Sequence, residues 1–410
     1  MLRAFPMPMM TSTPTGNLRV SELAPHFIQS EIRAMTVACA DVGGINMAQG
    51  VCDTDPPHVV VEAAIEAIRS GHNIYTRLDG IAPLREAIAQ KLASFNSLKV
   101  DPGSQVLVTS GATGAMNAAL MALLNAGDEC VVFEPFYGYH VSTLRAMRAV
   151  PVVVALAAPE FALDVERLRA AMTSKTRAMI LNSPSNPSGK VFSRSELEAL
   201  AEIAIEFDLF VFTDEMYECF VYDGARHVSI ATLPGMAERT ITISGFSKTF
   251  SVTGWRLGYL AASERWLPAI GYFHDLIYIC APSPLQHGAA AGLLQLPQSF
   301  YSDLAVEYEA KRDAICAALA EAGLTPSVPT GAYYVLADST KIPGDDAKQK
   351  ARRLLADTGI AAVAGSAFFA ADERGVNPGE NLLRFCFAKK DAELVEACRR
   401  LGEYRAIIQR

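Results

Sequence analysis

The run Ser244-Gly-Phe-Ser-Lys-Thr-Phe-Ser-Val-Thr-Gly-Trp-Arg-Leu-Gly258 decides how the rest of the chain is read. It follows Thr240-Ile-Thr-Ile243, a β-branched segment with the pattern of a buried strand. Small and hydroxyl-bearing residues then crowd around one lysine, Lys248, and Arg256 stands eight positions beyond it. A lysine in a tight turn at a strand end, beside a second cation, loses hydration and meets like-charge repulsion. Both effects favour the neutral amine, a nucleophile towards carbonyl carbon. Taken alone, the run is as compatible with a surface loop carrying an incidental lysine and arginine. The surrounding segments settle the matter.

Working outward, short apolar runs at 106–108, 129–133, 150–156, 178–181, 209–213 and 240–243 read as strands, and 257–261 adds one of open direction. Helical patterns at 115–124, 141–149 and 165–172 fall between them. Strands this apolar are buried on both faces, so the expected fold is α/β, a mostly parallel sheet covered by helices. Ligand groups in such sheets gather at the carboxyl ends of the strands. Those ends carry Thr109-Ser-Gly-Ala-Thr-Gly114, then Asn182-Ser-Pro-Ser-Asn-Pro-Ser-Gly189, then Asp214 with Tyr217 three residues on. The first offers free N–H groups and a helix dipole to a phosphate. Its glycine spacing matches neither a dinucleotide fingerprint nor a P-loop, and an ordinary helix cap would look the same.

Helical patterns at 22–41 (with Ile28), 59–70 and 81–95 precede this sheet, with a short strand at 45–50 and a polar loop at 73–80 that holds Tyr75. After Leu285 come helices at 302–322, 347–356 and 392–404 and strands near 333–337, 360–363 and 382–387, a smaller α+β domain. The Gly/Pro-rich patch 375–379 reads as a surface loop. The expected division is a large domain at 58–295, a small one from 18–57 plus 296–410, and an N-terminal arm at 1–17.

Composition excludes several classes. A formal net charge of −8 argues against nucleic acid or an anionic membrane as partner. The eight cysteines are scattered without metal or redox spacing, which suits buried thiols in a reducing cytoplasm and no metal site. Residues 1–17 show no secretory h-region, and no apolar run approaches the roughly 20 residues of a membrane-spanning helix. A soluble cytoplasmic protein is expected.

The run 245–258 resembles the pyridoxal-phosphate attachment site of class I aminotransferases, which have fold type I. Asn186-Pro-Ser-Gly189, Asp214-Glu-Met-Tyr217 and Leu383-Arg-Phe-Cys-Phe387 stand in that family's order, and the likeness runs from about Ile28 to Leu401. The resemblance implies that pyridoxal 5'-phosphate is the cofactor and that Lys248 holds it as a Schiff base and later shuttles the proton. It makes Asp214 the partner of the pyridine nitrogen, and Tyr217 and Asn186 the partners of the phenolic oxygen. Arg256, Gly111, Ala112 and Thr113 would bind the phosphate, with Tyr75 arriving from a second subunit of a homodimer. Tyr137 would stack on the ring, and Arg384 would hold the substrate carboxylate, with Gly50 closing over it. The Asn186–Pro187 bond would be cis. Gly245 departs from the family, which often has a phosphate-binding serine there; Ser247 or Ser244 would substitute.

The implied reaction moves an amino group from an L-amino acid to a 2-keto acid in a ping-pong cycle, with neutral or aromatic amino acids favoured. Phe273, Tyr278, Phe368 and Phe369 are candidates for the side-chain pocket. A C–S β-lyase of the same fold and an aspartate-specific aminotransferase are the alternatives, since fold does not select the bond broken. A non-catalytic cofactor-binding regulator is a third, disfavoured by the acidic charge balance.

Overall fold

The computed structural model describes residues 19–24 and 31–408, with side chains described through 404. The arm at 1–17 and residue Ile28 lie outside the described residues. Thirteen strands are described: β1 Ile45–Asn46, β2 Val106–Thr109, β3 Glu129–Glu134, β4 Val150–Ala155, β5 Thr176–Asn182, β6 Phe210–Asp214, β7 Thr240–Gly245, β8 Gly258–Ala261, β9 Thr325–Ser327, β10 Tyr334–Asp338, β11 Ile360–Ala361, β12 Val363–Ala364 and β13 Leu382–Cys386.

Seven of them form the central sheet, in the order β2-β8-β7-β6-β5-β3-β4. Only β8 runs against the others. Successive residues of each strand face opposite sides of the sheet. Ala178 and Ile180 of β5 therefore join Cys130, Val132 and the helix Gly111–Leu123 in one core. Met179 and Leu181 join Val131, Val211 and the helix Arg194–Glu206 in another. Both faces are apolar because both are covered, and this produces the unbroken apolar runs of the sequence.

The reversed strand has a consequence for chemistry. Because β8 starts where its neighbours end, Gly258 lies opposite Thr109 on one side and Gly245 on the other. Arg256, two residues before Gly258, thus arrives beside Gly111, two residues after Thr109. Packing there is close enough to require glycine: a Cβ on Gly258 would stand 2.7 Å from the amide nitrogen of Ala112.

The remaining strands form a four-stranded antiparallel sheet, β12-β13-β10-β9, and a two-stranded parallel pair of β1 with β11. The helices Gln298–Glu321 and Asp391–Ile408 pack together beside them.

Several expectations are revised. The helix expected from 22 does not begin there: 21–24 form a turn, and among the described residues the helix covers Glu31–Asp41. The strand expected at 45–50 is only two residues long, because β11 offers it only two pairing positions. The segment 360–363 splits at Ala362, sending β11 to β1 and β12 to β13. The helix expected from 115 begins at Gly111, so the glycine-rich turn is its first turn. The patch 375–379 is not wholly at the surface: Gly379 is buried, and a Cβ on it would meet the carbonyl carbon of Gly365 at 2.5 Å.

Candidate active site

The carboxyl edge of the central sheet brings Gly111, Tyr137, Asn182, Asp214 and the Lys248 turn to one end of the molecule, as strand direction requires. Lys248 donates from Nζ to the carbonyl of Gly50 at 2.8 Å and lies 5.8 Å from the Tyr333 ring centroid. Burial, and more weakly Arg256, hold its ammonium below the usual lysine range, which is the condition for a nucleophilic amine.

Asp214 closes β6, with one carboxylate oxygen 3.1 Å from His140 Nε2 and the other accepting the Met216 amide at 3.3 Å. The Asn182 side-chain amide donates to the Asp214 carbonyl at 3.0 Å, and its oxygen accepts the Asn186 N–H at 2.8 Å. One asparagine thereby couples the Asp214 turn to the Asn186 loop. The Asn186–Pro187 bond is cis, as expected.

Arg384 is almost wholly buried, 1% exposed, between the rings of Tyr334 and Phe368 at 4.5 and 5.0 Å. It donates to Asn186 Oδ1 at 3.1 Å and to the Ala48 carbonyl, while its Nε has no partner. A guanidinium so desolvated and only partly satisfied suits an incoming carboxylate. Because Asn186 gives its oxygen to Arg384, its NH2 group remains for another acceptor.

Tyr217 is fully enclosed, and burial drives its phenol well above the ordinary range, so it is a protonated donor. Its hydroxyl lies 2.9 Å from that of Tyr334. Tyr137 meets His140 edge-on at 5.3 Å. Thr113 is exposed, and Tyr75 is 77% exposed on its loop.

The rim suits a phosphate. The helix Gly111–Leu123 presents its N-terminus beside Arg256, and a Cβ on Gly111, whose φ is +72°, would stand 2.6 Å from Arg256 Nη2. Of the two candidate serines, Ser244 is turned away and donates to Glu218 at 2.7 Å. A Cβ on Gly245 would lie 3.0 Å from Gly258 Cα and 3.1 Å from the Leu257 carbonyl, so a side chain there would require β8 to shift by a few tenths of an ångström. A half-buried amine, a carboxylate, two donors for an oxyanion and a cationic phosphate cup together fit pyridoxal 5'-phosphate.

His274 supports this cup from beneath. Its Nε2 accepts the Ser110 N–H at 3.0 Å, so the ring must be neutral, and burial pushes its pKa down to about 4. Between that value and the ordinary 6.5 the unfolded chain binds the extra proton and the folded chain does not. His274 therefore contributes fully above pH 6.5, and roughly 3 kcal/mol is expected to be lost as pH falls to 4. Thermal midpoints measured from pH 7 to 4 should fall less steeply in His274→Asn than in the parent.

Behind the Asp214 turn lies a buried polar cluster that sequence reasoning missed. Glu218 meets Lys91 Nζ at 2.5 Å and accepts from Asn96 at 2.7 Å. Glu215 accepts from Thr213, Ser229 and His227 at 2.9, 2.7 and 2.8 Å. Glu215, Glu218 and His227 hold ligand atoms within 4.8 Å of one another, but the Lys91 ammonium already pairs with Glu218. Burial alone would lower the Lys91 pKa; Glu218 outweighs it and raises that pKa far above the ordinary lysine range. His140 and Tyr334 were missed as well. His140 lies three residues after Tyr137, one helical turn on, which was a signal that could have been read.

Comparison with known proteins agrees with this geometry. The family model "Aminotransferase class I and II" matches residues 42–401. A probable N-succinyldiaminopimelate aminotransferase of Mycobacterium tuberculosis is 37% identical over 94% of this chain and 98% of its own length. Aromatic-amino-acid aminotransferase 2 of Thermococcus litoralis is 35% identical over 91% of this chain and 94% of its own length. The solved structure of an Escherichia coli protein with a methionine aminotransferase function superimposes with TM-score 0.89 at 32% identity, covering 94% of this chain and 99% of that one.

The chain belongs to the class I and II aminotransferase family, with fold type I. Its cofactor is pyridoxal 5'-phosphate, and its reaction transfers an amino group between an amino acid and a keto acid. Among the described residues, no helix is long and apolar enough to cross a membrane.

Proposed function

We propose that the residues at the sheet edge divide this transamination as follows. Bound pyridoxal phosphate supplies a conjugated ring that accepts the electrons released at the substrate's α-carbon. Lys248 attaches the cofactor and afterwards carries the proton between carbons, for which its depressed basicity suits it. Asp214, held by His140, pairs with the ring nitrogen. Tyr217 and the NH2 group of Asn186 donate to the phenolic oxygen, and Tyr137 covers the ring face. Arg256, Gly111, Ala112, Thr113 and Ser247 bind the phosphate, with Tyr75 from a second copy. Arg384, Asn186 and Gly50 receive the substrate carboxylate. The large unit at 58–295 carries the cofactor, and 18–57 with 296–410 form the small unit.

Neutral or aromatic amino acids are the substrates this geometry favours. The observation that carries this reading is the pair of aromatic rings, Tyr334 and Phe368, flanking the Arg384 guanidinium. Phe368 packs beside Arg384, while Phe273 packs into the core under the helix Gly111–Leu123, so the first is the better candidate for touching substrate. The exposed Ile74, Tyr75, Tyr272, Leu276 and Ile277 offer an apolar surface for a homodimer, and the free thiols agree with a cytoplasmic location.

A panel of amino acids, including phenylalanine, methionine, aspartate and N-succinyldiaminopimelate, with pyruvate and 2-oxoglutarate as acceptors, tests the reading. The highest kcat/KM is expected for a neutral or aromatic donor, with no turnover without a keto acid. A preference for aspartate, or pyruvate and ammonia formed without an acceptor, would contradict it.

A further inference from the structure

Tyr334 belongs to none of the motifs that mark the site, yet it lies against two of their residues, Tyr217 and Arg384, and against Gly50. It lies on β10, opposite Cys386 of β13, while Leu336 lies opposite Arg384. Tyr334 and Arg384 are therefore diagonal neighbours on one face of the small sheet, which places the guanidinium over the tyrosine ring. The hydroxyl reaches the central sheet: it lies 2.9 Å from that of Tyr217 and 1.9 Å from where a Cβ of Gly50 would stand. Gly50 is the residue whose carbonyl accepts from Lys248. Its lack of a side chain gives Tyr334 room to reach Tyr217.

A tyrosine hydroxyl has one proton and two lone pairs, so in this pair one oxygen donates and the other accepts. Burial raises both phenols well above the ordinary range, and both keep their protons. If the Tyr217 proton serves the cofactor's phenolic oxygen, Tyr334 must be the donor between them. A hydroxyl that accepts one hydrogen bond donates a stronger one, because each bond polarises the next.

We propose that Tyr334 is a positioning residue for the cofactor, donating to Tyr217 Oη and so directing the Tyr217 proton at the cofactor's phenolic oxygen. This rests on the role assigned to Tyr217 above and extends it to a residue of the small sheet. The same side chain packs under the arginine that receives the substrate carboxylate. It thereby joins the carboxylate site to the phenolic end of the cofactor site.

The test is Tyr334→Phe, which keeps the ring beneath Arg384 and removes only the hydroxyl. The readout is the pH midpoint of the cofactor's visible absorbance in the loaded enzyme, with Tyr217→Phe and the double variant measured alongside. Loss of one polarising bond should raise the midpoint by about 0.5–1 pH unit in Tyr334→Phe. Tyr217→Phe should raise it further, and the double variant should match Tyr217→Phe. The amino-donor KM should stay near the parent value while kcat falls by about 3–10-fold. An unmoved midpoint in Tyr334→Phe beside a raised one in Tyr217→Phe would overturn the relay and leave the Tyr217 role standing. Additive shifts in the double variant would also overturn it. No shift in either single variant would remove the Tyr217 role, and the relay with it.

Discussion

Lys248→Ala is expected to abolish transamination while leaving a folded protein. The side chain makes one hydrogen bond among the described residues, to the Gly50 carbonyl, so its removal deletes little structure. On the roles proposed for Lys248, it removes both the amine that would attach the cofactor and the base that would move the α-proton. General acid–base catalysis alone is worth about 10²–10⁴-fold, so with attachment lost as well kcat should fall on the order of 10⁴-fold or more. Circular dichroism and the thermal midpoint of the cofactor-free protein should stay close to the parent. Activity within tenfold of the parent, on the order of one proton-transfer contribution or less, would show that another residue does this work.

The second large effect concerns stability. Lys91→Met leaves the Glu218 carboxylate buried without its cation, and removing one partner of a buried ion pair costs about 3–5 kcal/mol. Lys91 donates to Asn96 and Tyr259 as well, so its loss takes a donor from three acceptors, though Glu218 still accepts from Asn96 and Ser244. Adding Glu218→Met should recover part of the loss, because a matched apolar pair leaves no uncompensated charge. The denaturation midpoint in urea, compared across parent, single and double variants, measures this. A single variant that unfolds with the parent, or a double variant less stable than the single, would refute the charge-pair account.

The residues at the strand ends were legible because local chain geometry fixes where they lie. Asp214 ends a strand of the central sheet, and Gly111 and Lys248 stand two and three residues after the ends of two others, so strand direction brings them together. Arg256 was legible as the cation eight positions beyond Lys248, but the sequence does not fix the direction of β8, whose antiparallel course brings it to Gly111. The residues that were missed are those whose partners lie far away in sequence. Tyr334 is 117 positions from Tyr217, and His140 is 74 from Asp214. Lys91 reads as one more helix lysine until Glu218 and Tyr259 are placed around it. Apart from the one-turn spacing of Tyr137 and His140, these partnerships leave no trace in a single sequence, where a buried ion pair and two surface charges look alike. Gly245 is a different case: it reads as a position where the family often has a phosphate-binding serine, and in the structure a Cβ there would press closely on β8, a packing detail the sequence does not show.

The central claim, that one half-buried lysine carries the cofactor, is tested most directly by borohydride reduction of the loaded enzyme followed by peptide mapping. Reduction fixes the cofactor to the amine that holds it. A single labelled peptide with the modification on Lys248 is the predicted result. A label on any other lysine, or protein that takes up no label after incubation with pyridoxal phosphate, would contradict the account.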